Sequence, residues 1–125
     1  MKVLSIDQMH QLKELGVDVK PKGMCLMYTS DSSDCYYLKY GESTCEDDVV
    51  AFSLQDIIEL LPGKLIYEES NLYLTFENID NEYGFCYVAC DFEVRIYFNN
   101  ASILQAAYEM LIWVIENGYL TQTKK

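Results

Sequence analysis

ASILQAAYEMLIWVIEN, Ala101 to Asn117, is nearly all apolar and carries one polar stripe. At 100° per residue Ser102, Gln105, Glu109, Glu116 and Asn117 fall within about 120° of arc, and almost every other side chain is greasy. Such a helix has to lie across a sheet or in the middle of a small protein. The residues before it supply the sheet.

Leu72, Leu74 and Phe76 alternate with Tyr73, Thr75 and Glu77, the signature of a strand with one buried face. Phe92, Val94, Ile96 and Phe98 alternate with Glu93, Arg95 and Tyr97 in the same way. Between them Phe85–Cys90 is apolar on both sides, and Lys64–Glu68 is a weaker strand-like run. The connections Glu69–Asn71, Asn78–Gly84 and Asp91 are short, which predicts an antiparallel meander. Asn99 or Asn100 is placed to cap the final helix.

Upstream, a second helix opens at Ser53, with Phe52 and Ile57 as a hydrophobic staple and Asp56 at N3. It runs through LQDIIELL and is stopped by Pro62-Gly63. Before it, Gly41 to Asp48 is a polar, acidic loop holding Glu42, Glu46, Asp47 and Asp48. These could chelate a cation, but the loop lacks the alternating oxygen spacing and central glycine of a calcium loop, so a solvated loop is expected. Met24–Thr29 and Cys35–Tyr40 read as a hairpin across the turn-rich Ser30–Asp34. At the front, Ser5 and Gln8 form an S-x-x-Q capping box with Leu4 and Met9 as its staple, and Gly16 supplies the stop.

The expected order is α-ββ-α-ββββ-α in one domain, residues 1–125. Consecutive strands with helices between and after them predict an α+β fold: one antiparallel sheet of five to six strands, with helices packed on one face.

Composition narrows the function. Half of the 125 residues are hydrophobic and 14% are aromatic, with 11 Tyr, so the chain is long and apolar enough to bury a core. No apolar run approaches the roughly 18–20 residues of a membrane span, and MKVLSIDQMHQ has no h-region, so a cytoplasmic protein is expected. The net charge is −11 and uneven: between Gly23 and Thr123 only Lys39, Lys64 and Arg95 oppose 17 acidic side chains. Phosphate recognition needs the opposite sign, which argues against direct nucleic-acid or anionic-membrane binding. A basic partner, or mimicry of a nucleic acid, would suit the charge; so would a merely soluble acidic surface.

Catalytic constellations are hard to assemble from these residues. The five cysteines (25, 35, 45, 86 and 90) match no zinc spacing and are expected as reduced thiols; Cys86 and Cys90 would share a strand face. His10 is the only histidine, so a Cys–His pair would need a distant cysteine to meet it. The six glycines are isolated at turns, with no phosphate loop. No catalytic residue, metal ligand or cofactor is assigned.

Three segments, SIDQMHQLKELGVD, AFSLQDIIELLPGKL and AAYEMLIWVIENGYL, together resemble a set of small uncharacterised bacterial proteins of gut anaerobes, often encoded in prophages or other mobile elements. The resemblance covers most of the chain, Met24–Asp48 least, and brings no activity or site residue with it. A looser likeness of pattern alone links the chain to antitoxins of the HicB kind, in which strands precede a helix lying on the sheet.

One residue stands out. Trp113 projects 20° from Ser102 on the helical wheel, placing the largest side chain inside the polar stripe. Either the first helix or the tail Tyr119–Leu120 covers it, or Trp113 and Ile112 belong to a subunit or partner interface, to which Tyr36, Tyr37 and Tyr40 would add a flat aromatic edge. Two functions follow. One is a non-enzymatic protein-interaction module of a mobile element, binding a protein partner or itself as a homodimer. The other is a small-molecule binder or small hydrolase that uses carboxylates in a sheet–helix cleft, which requires at least two converging acids with raised pKa.

Overall fold

A computed structural model describes residues 2–30, 35–91 and 95–120. Its contacts gather into two compact units, Met1–Ser53 and Leu54–Lys125.

The first unit opens with α1 (Ile6–Glu14). The capping box forms: the Gln8 amide donates to Ser5 Oγ at 3.1 Å and the Ser5 amide to Gln8 Oε1 at 2.9 Å. Gly16 ends the helix at φ +97°, where a side chain would be strained. Leu4, Met9 and Leu12 are buried. The hairpin follows as β1 (Cys25–Ser30) and β2 (Tyr36–Gly41), each one residue beyond its expected start; residues 31–34 of the expected turn lie outside the described residues. A strand that the sequence reading missed, β3 (Val49–Val50), pairs with the other edge of β1, giving an antiparallel order β2-β1-β3.

The second unit begins with α2 (Leu54–Leu60) and continues as the expected meander: β4 (Lys64–Tyr67), β5 (Ser70–Ile79), β6 (Glu82–Val88) and β7 (Arg95–Asn100), in the order β4-β5-β6-β7. Its first two hairpins are tighter than expected. Tyr67 pairs with Ser70 and Ile79 with Glu82, leaving the two-residue loops Glu68-Glu69 and Asp80-Asn81. All four loop residues have positive φ, from 48° to 69°, the geometry whose twist suits a two-residue hairpin. β6 ends at Val88, so Cys90 does not share a strand face with Cys86: Cys86 is buried and Cys90 exposed. Phe92–Val94, expected at the start of the last strand, lie outside the described residues.

The final helix, α3 (Ile103–Glu116), starts later than the apolar run, and Ser102 rather than Asn99 or Asn100 caps it, accepting from the Gln105 amide. Asn100 instead accepts from the Ser102 amide at 2.9 Å. α3 packs on β6, β7 and α2, with Ala106, Ala107, Met110, Leu111 and Val114 buried. The two alanines let the backbone approach the sheet, and each large buried side chain contributes about 1.5–3 kcal/mol. On the sheet side Leu65, Leu72, Phe85 and Tyr87 are buried, and the Tyr87 hydroxyl donates to the Pro62 carbonyl at 2.6 Å.

The α+β class and the antiparallel pairing are as expected, but a single sheet of five to six strands is not what forms. The strands divide into sheets of three and four. β2 and β3 occupy the two edges of β1, while the meander pairs each of its strands with the next. An order of elements does not specify which strands share a ladder, and the two-residue β3 is too short to show a period. Among the described residues no helix is long and apolar enough to cross a membrane.

Candidate functional site

The sequence of β2, YYLKYG, is rich in residues that favour a pleated surface. Its six residues pair in register with β1, from Ser30 opposite Tyr36 to Cys25 opposite Gly41. Being outermost in the order β2-β1-β3, it turns its other backbone edge away from the ladder. Tyr36, Leu38 and Tyr40 share one face, and Tyr37 and Lys39 the other. Tyr36 is half-buried, its ring edge-on to His10 of α1 at 5.3 Å. The same face is tied to the chain before α1 by the Tyr28 hydroxyl, which donates to the Leu4 carbonyl at 2.6 Å. Farther along, Tyr37, Leu38 and Tyr40 are 52%, 46% and 68% exposed. Edge strands ordinarily carry several charges, a proline or a bulge that deters pairing; between Tyr36 and Gly41 there is only Lys39.

Directly after β2 comes the acidic loop, and one of its four acids is not solvated. Asp48 is 3% exposed. Its Oδ2 accepts from Ser43 Oγ at 3.0 Å, the Thr44 amide at 3.1 Å and the Cys45 amide at 3.2 Å. Burial pushes the carboxyl pKa up, and donors from Thr29, Thr44, Ser43 and Cys45 more than offset it, so the group titrates below the usual aspartate value. Register explains the Thr29 contribution: Val49 lies opposite Tyr28, so Asp48 comes next to Thr29. Oδ1 itself makes no hydrogen bond of ordinary geometry, and the Thr29 side chain is the largest of the influences that lower the pKa. Asp48 thus folds the loop around its own carboxylate, leaving Glu42, Glu46 and Asp47 exposed beside the end of β2.

An open cavity of about 310 Å³ lies against this loop, with Lys20, Ser43, Cys45, Glu46 and Asp48 in its wall. Its buried acid has a lowered pKa, the wrong direction for donating a proton near neutrality. A second open cavity, about 290 Å³, is lined by Tyr73, Cys90 and Asp91 in the other unit. Among the described residues no group of three or more His, Cys, Asp or Glu side chains is arranged to hold a metal ion.

Trp113 and Ile112 are both half-buried on α3. The indole stacks on Tyr119 at 5.3 Å with 26° between the planes, and the rings of Tyr67 and Tyr87 lie 6.1 and 6.4 Å away. The tail therefore covers part of Trp113, which favours packing for this side chain. Trp113 and Ile112 belong to one compact unit and Tyr36, Tyr37 and Tyr40 to the other.

Sequence reasoning missed Leu38 beside its chosen tyrosines, and it treated Asp48 as one acid among four. The only hint for Asp48 was the Ser43-Thr44-Cys45 run ahead of it, which supplies hydroxyl and amide donors to a carboxylate three to five residues on. The chain matches no protein-family model, no curated protein and no solved structure.

Proposed function

We propose that the chain is a non-enzymatic protein-interaction module, and that β2 is the element it offers: an extended segment of a basic partner adds to the outer edge of this strand. The observation that carries the reading is an outermost strand with Tyr37, Leu38 and Tyr40 exposed and a single charge to discourage pairing. Main-chain hydrogen bonds would supply the affinity, and the alternating side chains the selectivity. Glu42, Glu46 and Asp47, held beside the strand by the Asp48 carboxylate, favour a cationic segment, as does the net charge of −11. The competing reading, a small-molecule binder or small hydrolase using carboxylates, needs two converging acids with raised pKa. Asp18 and Asp48 are both shifted the other way.

The test is affinity capture from lysate of the source cell, at low and moderate salt, with the wild-type chain and Leu38→Lys/Tyr40→Lys as parallel baits. A protein held by the wild type, weakened by salt and lost with the variant is the expected result. Equal capture by both baits, or a blank with the wild type, would overturn the reading.

A further inference from the structure

We draw no further inference here: the strongest candidate, the open face of the four-stranded sheet with Ile66, Tyr73, Ile79 and Tyr97 exposed around the buried Cys86 and Val88, is an apolar patch, and nothing in the structure shows what covers it.

Discussion

Replacing Asp48 by alanine tests the claim that one buried carboxylate shapes the loop beside β2. Three donors reach Oδ2: the Ser43 hydroxyl and the amides of Thr44 and Cys45. Hydrogen bonds to a charged group contribute about 1.5–3 kcal/mol each, yet these three sit in one half-exposed loop where water can replace part of what is lost. The loss expected for Asp48→Ala is therefore about 2–3 kcal/mol rather than the sum. Asp48→Asn keeps an acceptor for the amides and should lose about half as much. The pH dependence has a definite sign. The folded carboxyl titrates below its ordinary value of 3.8, so its stabilisation is complete well above pH 3.8 and is lost as pH falls through 3.8 and then through the lower folded value.

Urea unfolding followed by far-UV circular dichroism, with amide exchange at Thr44 and Cys45, measures both effects. The gap between the wild type and Asp48→Ala should be widest near neutrality and close in acid, and both amides should exchange faster in the variant. A variant within about 0.5 kcal/mol of the wild type, the range of an ordinary surface substitution, would refute the argument. So would a gap that widens as pH falls.

Three further outcomes follow from the rest of the fold. Glu68 and Glu69 occupy positive-φ positions better suited to Asn and Gly, so Glu68→Asn/Glu69→Gly should raise stability by about 1 kcal/mol, less the extra freedom glycine adds to the unfolded chain; a fall in thermal midpoint would contradict this. Tyr87→Phe deletes the 2.6 Å bond to the Pro62 carbonyl and should lose about 1 kcal/mol. Burial also raises the Tyr87 pKa, so its contribution is complete below pH 10 and lost as pH climbs beyond it, and the variant should lose less stability in alkali, as urea titrations read. Ser5→Ala removes half the capping box of α1 and should lose about 1 kcal/mol in the same titration, with faster exchange at the Gln8 amide.

The sequence was most legible where structure is local. The Ser5–Gln8 box, the stop at Gly16, the strand from Leu72 to Glu77 and the apolar run of α3 each appear where the residues place them, because caps, turns and periods depend on neighbours a few positions away. The buried face expected of that strand holds only at Leu72, since Leu74 is half-buried and Phe76 is 47% exposed. The tight turns at Glu68-Glu69 and Asp80-Asn81 were less legible: without glycine they carry a weak turn signal, and the pairing of the flanking strands imposes their conformation. Asp48 was illegible for a related reason. It differs from Glu42, Glu46 and Asp47 only through a fold that brings three donors to one oxygen.

The comparison of β2 with β6 shows where local information stops. Both carry large apolar or aromatic side chains on each face: Tyr36, Leu38 and Tyr40 against Tyr37, beside Lys39, in one, and Phe85 and Tyr87 against Cys86 and Val88 in the other. Such a pattern signals a strand buried on two sides, and for β6 it is right, since Phe85 through Ala89 are all buried. β6 lies between β5 and β7 with α3 across one face, whereas β2 lies at the rim of a three-stranded sheet with three large side chains exposed. Pairing order separates the two, and pairing order is not written in either stretch. A strand of central composition placed at an edge departs from the agreement between levels that folded chains otherwise keep, and such departures tend to fall at functional sites. A partner strand on β2 would remove the mismatch: it would give the rim the second neighbour that β6 already has.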